Sequence, residues 1–313
     1  MKALVLGGTQ FISQAVAQTL VACGHETSIL TRGRRPVAVA GLARHYRADR
    51  RDAESMRCLR GARFDVVFDC SGYAACDART VLEALRPDER TAYVFLSSGA
   101  VYLPSPQPVA EDAPTGPNEA WGAYGLDKLA AEELLTCAQA SAGFQLSIVR
   151  PAYVYGPGNN LYRESFLFDR LERGVPVPVP VPAGETRTQF AFIDDVVRLL
   201  LSLPGAHEGV EAFNCACPEA IGWERLVHAA AAAMGVEPHV ARVPYEGVLE
   251  PRSFFPFRDC TYLLDMAKEG RFAVERPSTG LEEGMRRAYA WHRVHDPAAP
   301  DPKMTNGEVA LGL

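Results

Sequence analysis

The sequence contains no Cys-x-x-Cys pair, no apolar run of membrane-spanning length, no lysine-rich stretch and no internal repeat. The eight cysteines, at positions 23, 58, 70, 76, 137, 215, 217 and 260, lack metal-ligand spacing. Reduced thiols packed into apolar stretches are expected, and a disulfide framework or a metal site is not. Cys215 and Cys217 alternate on one expected strand and read as packing residues. A membrane helix needs about 20 consecutive apolar residues, so no membrane association is expected. The N-terminal stretch lacks the apolar segment and small-residue cleavage site of a signal peptide, and the cytoplasm is the expected compartment.

The residues that are present are ordinary for a globular protein. The 313 residues are 48% hydrophobic and 22% charged, enough for one large domain or two tightly joined ones. The net charge of −6 is unevenly spread. Between Arg32 and Arg63 stand ten arginines and no lysine, against Asp49, Asp52 and Glu54, so this segment carries +7 and the remainder −13. Such a segment is either a solvated basic face or an attractor for phosphate, on a cofactor or on a nucleic acid.

The chain opens MKALVLGGTQFIS. Ala3 to Leu6 is a continuous apolar run, as in a strand buried on both faces. Gly7 and Gly8 end it, and Thr9 is placed to cap the next helix. From Phe11 the spacing turns helical, with Ile12, Ala15, Val16, Leu20 and Val21 on one face. Strand, glycine turn and helix begin a dinucleotide-binding βαβ unit, whose helix N-terminus offers amides and a positive dipole end to a pyrophosphate. The same turn also joins strand to helix where nothing binds.

Further strands are expected at Thr27 to Leu30, His45–Tyr46, Phe64 to Asp69, Tyr93 to Leu96 and Phe144 to Val149. Helices are expected at Ala75 to Leu85 and about Tyr124 to Cys137. This alternation through residue 150 argues a doubly wound parallel sheet of α/β class. NAD-binding folds usually carry an acid after the second strand, to accept from the ribose 2′-hydroxyl. Here the strand runs into Thr31-Arg32-Gly33-Arg34-Arg35, whose guanidiniums suit a 2′-phosphate, so NADP is preferred over NAD. Asp49 is placed to accept from an adenine amino group, and small residues after Asp69 leave room for a ligand. Pro104 to Pro117 is too proline-dense for regular structure.

After Pro151 the character changes. Helices are expected at Leu161 to Arg173, Asp194 to Leu203 and, Ala-rich and in need of close packing, Trp223 to Met234. Ala212 to Ala216 reads as a strand that rejoins the sheet. Val175 to Pro182 alternates valine with proline, so it is extended without being a central strand, and is expected over the active-site mouth. From about Asp296 the tail has no periodicity and is expected to be loose.

Tyr124 and Lys128 stand four apart on one helix face. A phenol titrates near pH 10. A nearby ammonium and an oxidised nicotinamide stabilise the phenolate, which can then exchange a proton with an alcohol while the nicotinamide exchanges hydride. Ser98, after the fifth strand, is placed to hydrogen-bond the reacting oxygen. Tyr-x-x-x-Lys by itself is common as an exposed helix pair; the glycine turn and the Ser97-Ser98 pair give it meaning.

With these pieces in view, the chain resembles an extended short-chain dehydrogenase/reductase of the NAD-dependent epimerase/dehydratase family. The resemblance rests on GGTQFIS, RADRRD, FDVVFDCSGY, VFLSSGAVY, YGLDK, RPAYVYGPG, TRTQFAFIDDVV and GLEEGMRRAYAWH, in the family's order. It implies a Rossmann domain of residues 1–150 with about 189–217, and a smaller C-terminal substrate-binding domain of about 151–188 and 218–295, with a loose tail at 296–313. It implies Tyr124 as acid/base, Lys128 as its modulator and ribose anchor, Ser98 as partner of the substrate oxygen, and Pro151 near the nicotinamide. Cofactor contacts are expected from Gly7, Thr9, Gln10, Phe11, Ile12, Arg32, Asp49, Arg50, Ser71 and Gly72 as well, and substrate contacts from Tyr73, Tyr153, Arg187 and Arg258. No metal is implied, and a homodimer paired through the Tyr124 helix is.

Several positions depart from the family's pattern. Gln10 and Ser13 replace the second and third glycines of Gly-x-x-Gly-x-x-Gly, and a Cβ at residue 10 crowds a pyrophosphate. Ser98-Gly99-Ala100 lacks the two acids of the dehydratases, which argues against dehydration. Tyr153 stands where sugar-nucleotide enzymes usually have Asn, and Arg187 lies one residue before their usual diphosphate-binding arginine. The expected function is an NAD(P)-dependent reductase or epimerase acting on a secondary alcohol or ketone, with a nucleotide sugar as the substrate class. The alternative is a non-catalytic nucleotide- or RNA-binding protein on the same fold, since the altered glycine loop also resembles a branch containing RNA-associated chloroplast proteins. The net charge and the complete Ser98, Tyr124 and Lys128 set weigh against nucleic acid.

Overall fold

The computed structural model describes residues 1–181, 186–245, 250–295, 298–304 and 312. Pro182, the start of the tail and most of it beyond Met304 lie outside them. The strands are β1 (Lys2–Leu6), β2 (Glu26–Thr31), β3 (Arg44–Arg47), β4 (Val66–Asp69), β5 (Ala92–Leu96), β6 (Gln145–Pro151), β7 (Tyr153–Tyr155), β8 (Val177–Val181), β9 (Phe190–Phe192), β10 (Val210–Cys215) and β11 (Val240–Pro244). The helices are α1 (Phe11–Ala22), α2 (Ala75–Leu85), α3 (Ala123–Ala142), α4 (Glu164–Glu172), α5 (Ile193–Ser202), α6 (Trp223–Met234) and α7 (Leu281–His292).

Seven parallel strands form the main sheet in the order β10-β6-β5-β4-β1-β2-β3. The apolar run of β1 feeds both faces, because successive side chains point to opposite sides. Ala3 and Val5 enter one core with Val16, Ala17 and Leu20 of α1 and with α5. Leu4 and Leu6 enter the other with Ala78 and Val81 of α2 and Ala131 and Leu135 of α3. The strand order reverses between β1 and β4, and a doubly wound sheet opens a ligand crevice beyond the carboxyl ends at such a switch point.

The C-terminal region adds two small parallel sheets, β7–β9 and β8–β11, and helices α4, α6 and α7. Ala229, Ala230 and Ala231 are buried, which lets α6 lie close against α7. The alternation of valine and proline in β8 has a simple geometry. Val177 donates its N–H to His239 across the ladder with β11. Backbone groups alternate sides along a strand, so the valines supply every donor on the β11 side and the prolines need none on the other. The segment is extended and non-central, but it does not cover a mouth: Val177, Pro178, Val179 and Pro180 are buried, packed towards α4 and α6.

Two other expectations change. Thr9 does not cap α1; Gln10 holds the N-cap position, extended and without a side-chain bond. All eight cysteines are free, but Cys23, Cys58, Cys76 and Cys137 are exposed, and only Cys215 is buried. An apolar neighbourhood in sequence does not make an inward-facing position on a helix or turn. Among the described residues no helix is long and apolar enough to cross a membrane.

Candidate active site

The glycine turn carries the chain from β1 into α1. Gly7 and Gly8 take φ of 113° and 111°, a region open to glycine, and the Gly7 N–H donates to Leu30 at 2.9 Å. A Cβ on Gly7 would lie 2.8 Å from Cβ of Ser13, so Ser13 fills the space beside the turn. Its hydroxyl donates to the Gln10 carbonyl at 2.8 Å and pins the first turn. Phe11 comes next with a φ of 38°, strained for a residue with a side chain. Because no side chain caps α1, the leading amides of the helix have no partner within it and are available to an anion.

A cleft of about 910 Å³ opens here, lined by Gly7, Thr9, Gln10, Arg32, Asp49, Ser71 and Tyr73 among others. Arg32, Arg34 and Arg35 line it beyond the end of β2, where no acid stands. Ile12 sits apart from the cleft, packed on the core beneath. Uncapped amides and three guanidiniums suit a dinucleotide that carries a pyrophosphate and a 2′-phosphate.

Arg50 also borders the cleft but is committed to the scaffold. It grips both carboxylate oxygens of Asp69 at 2.7 Å and donates to Ser71 Oγ and the Asp77 carbonyl. Asp69 is fully buried and also accepts from the Tyr93 hydroxyl and the Gly72 N–H. Burial opposes its charge, but the Arg50 guanidinium and the hydrogen bonds from Arg50 and Tyr93 outweigh that and hold the carboxyl below its ordinary range. This network fixes Ser71 and Gly72 at the end of β4, and a Cβ on Gly72 would press on Asp69, Phe95 and Arg50.

At the end of β5 the structure brings Ser98, Tyr124 and Lys128 together. Tyr124 is half-buried near the start of α3, its ring 6.3 Å from that of Tyr73. Burial raises its pKa, and the hydrogen bond with Ser98 and the charges of Arg163 and Arg258 work against the rise. The lowering expected of this phenol concerns the site with an oxidised nicotinamide in place. In the chain itself the Lys128 ammonium donates to the carbonyls of Gly72 at 2.7 Å and Leu96 at 2.6 Å. It lies over the rings of Tyr73 and Phe95, and desolvation pushes it down to about 8. Gly125 lets α3 approach this edge, since a Cβ there would meet the Ala100 carbonyl at 2.4 Å.

The expected substrate residues are dispersed. Tyr73 is exposed at the cleft. Tyr153 is 4% exposed, inside a cluster of Trp121, Phe190, Trp223, Phe257 and Tyr262, its hydroxyl used by the backbone of Arg258. Arg258 lies over Trp121 and donates to the Ala120 carbonyl, next to the Tyr124 helix. Arg187 lies apart and donates to the Ala220 carbonyl. Pro151 is buried at the end of β6, its carbonyl accepting from Tyr262.

Sequence reading missed three groups. Tyr262 hydrogen-bonds Ser98 and packs over Gly99, where a Cβ would lie 2.7 Å from its hydroxyl. Arg163 lies over Tyr153 and Phe257. Glu132 receives Ser97 and both arms of Arg150, which reaches on to Tyr102 and so to Asn214 of β10. The arginine of RPAYVYGPG and the serine before Ser98 were the signals for this last network, but nothing in the sequence pairs them with a helical glutamate.

Comparison with known proteins decides the family. Residues 3–216 match the NAD dependent epimerase/dehydratase family. The chain belongs to that family. Across 306 residues it is 31% identical to chloroplast stem-loop binding protein of 41 kDa b from Arabidopsis thaliana, covering 92% of this chain and 78% of that one. It is 33% identical to a UDP-glucose 4-epimerase of Streptomyces lividans over 164 residues, which span 45% of this chain and 49% of the other. The fold superposes on the Thermotoga maritima UDP-glucose 4-epimerase crystallised with UDP-glucose, with a TM-score of 0.78 at 21% identity, over 94% of this chain and 99% of that one. Within the epimerase/dehydratase family, then, this member keeps the doubly wound sheet and carries the altered glycine turn.

Proposed function

We propose that the chain is an NAD(P)-dependent oxidoreductase or epimerase acting on a secondary alcohol or ketone of a nucleotide sugar. The observation that carries this is the convergence of Ser98, Tyr124 and Lys128 on one edge of β5, beside an uncapped helix N-terminus. A bound nicotinamide supplies the hydride acceptor or donor. Tyr124 takes the hydroxyl proton of the substrate, or returns it to a carbonyl, with the Ser98 hydroxyl orienting the reacting oxygen. Lys128 holds the ribose and, once the cofactor's positive ring is in place, favours the phenolate. Residues 1–150 with about 189–217 would bind the nucleotide, and about 151–188 with 218–295 the sugar. Arg32, Arg34 and Arg35 favour NADP, and pairing of two chains through an interface that includes α3, the Tyr124 helix, is the proposed assembly.

The test is turnover of UDP-glucose and UDP-galactose with NADP or NAD, by reduced-nicotinamide absorbance and product chromatography. Tyr124→Phe is expected to lower it by about 10²- to 10⁴-fold. A loss of only a few-fold would remove Tyr124 from the chemistry.

A second reading has one specific support, the 31% identity over 92% of the chain to a protein named for stem-loop binding. The basic segment lends it less than its charge suggests, since Arg50, Arg51, Arg57 and Arg63 are already engaged by Asp69, Asp77, Glu54 and Asp88. Tight, steeply salt-dependent binding of an RNA stem-loop, with no turnover of sugar nucleotides, would favour it.

A further inference from the structure

A second cavity, of about 1270 Å³, adjoins the cofactor cleft; Thr9, Gln10 and Arg35 line both. Its other walls include Asn159, Arg163, Arg252 and residues 298–302 of the tail. The tail, expected to be loose, is engaged here: Asp301 lies 3.2 Å from Arg252, and Met304 packs at the edge of the core. We propose that this cavity receives a carboxylate carried by the substrate, with Arg252 as its main partner and Arg163 as its second. The tail carboxylate of Asp301 occupies the place until substrate arrives.

The argument starts from unmet charge. Arg163 has aromatic rings beneath its guanidinium, 5.1 Å to Tyr153 and 5.6 Å to Phe257. Among the described residues no carboxylate lies within ion-pair distance of it. Its neighbour Glu164 is taken up by the Gly156 N–H and by Asn159. Among the described residues Arg252 donates to the Pro256 carbonyl and to Asp301 alone. Two half-buried guanidiniums close enough to feel each other are costly without an anion. Burial, then Arg163, lowers the pKa of Arg252, and Asp301 partly restores it.

The resident partner is the clue to the ligand. Asp301 presents a planar carboxylate, and among the described residues its second oxygen is held by its own turn, through the Lys303 N–H at 3.0 Å. A side chain on a tail, tied by one ion pair, is readily exchanged for a ligand carboxylate of the same shape. Arg163 lies over Tyr153, whose ring packs 5.4 Å from that of Tyr262, and Tyr262 packs over Gly99 beside Ser98, which joins the cavity wall to the proposed reaction centre. The inference thus deepens the proposed function by naming a sugar acid as the substrate class, and rests on that reading for its chemistry.

The test needs no turnover. The full-length protein is titrated with sodium glucuronate and with glucose, which differ in one carboxylate, following the change in tryptophan fluorescence that is lost when Trp291 in the cavity wall is replaced by Phe. Glucuronate is expected to bind about tenfold more tightly than glucose or better, and Arg252→Gln to abolish the preference. Asp301→Asn, a tail variant that leaves the core untouched, is expected to tighten glucuronate several-fold and leave glucose unchanged. Equal binding of the two sugars, a preference that survives Arg252→Gln, or no response to Asp301→Asn overturns the proposal. So does binding of inorganic phosphate with no binding of glucuronate. Because binding alone is read, failure of the Tyr124 step and failure of this site are separate results.

Discussion

Arg50 and Arg163 border adjoining cavities, yet their surroundings differ completely. Arg50 is saturated by the Asp69 carboxylate, Ser71 and the Asp77 carbonyl, whereas Arg163 has aromatic faces and, among the described residues, no such partner. A guanidinium with a carboxylate organises the scaffold; the one without is the group proposed above to meet a ligand. The distinction separates two residues that a count of positive charge would treat alike.

The comparison breaks if the two arginines prove equally structural. Asp69→Asn leaves Arg50 buried without its counter-charge, and is expected to cost about 3–5 kcal/mol in urea unfolding. Arg163→Gln is expected to change stability by less than about 1 kcal/mol. Equal losses would erase the contrast. The pH dependence sharpens it. The folded pKa of Asp69 is depressed, so its stabilisation is complete above the unfolded value of about 4 and is lost as pH falls through the folded one. Acid unfolding of the wild type below about pH 4 should therefore be steeper than that of Asp69→Asn.

A smaller effect distinguishes Lys128 from both arginines, because an ammonium can shed its proton. Its folded pKa, lowered to about 8 by burial, lies below the unfolded value of about 10.4. Stability linked to it is full above the unfolded value and is lost as pH falls through the folded one. Unfolding free energy is expected to rise by up to about 2 kcal/mol between pH 8 and pH 10, and Lys128→Met should show no such rise. Identical profiles for the two proteins would place the charge of Lys128 in solvent.

Smallest is the expected effect of Arg32→Ala at the exposed end of the cofactor cleft. It should weaken NADP about tenfold and leave NAD unchanged, by titration of reduced-cofactor fluorescence. If NAD already binds the wild type as tightly as NADP, the arginines after β2 have another role.

Local pattern carried much of the fold. The spacing at Ala75–Leu85 and Trp223–Met234 matches α2 and α6 end to end, because each has an apolar stripe and a clear stop. Alternation of strands and helices was enough for the parallel sheet. The small sheets β7–β9 and β8–β11 were not legible, since their partners lie dozens of residues apart and their strands are short. The residues of the site divide the same way. Ser98, Tyr124 and Lys128 sit within motifs, so spacing could single them out as candidates. Tyr262 and Arg163 reach the site from later segments through packing alone, and Arg50 could not be told from a ligand-binding arginine until Asp69 and Asp77 were seen around it.

The valine–proline strand has a consequence for association. Since β8 has donors on the β11 side only, its other edge offers no ladder to a further strand. A second chain that met this region during synthesis or partial unfolding could not extend the sheet there. The β8 edge thus carries a built-in stop against strand-by-strand aggregation, written in three valines and two prolines.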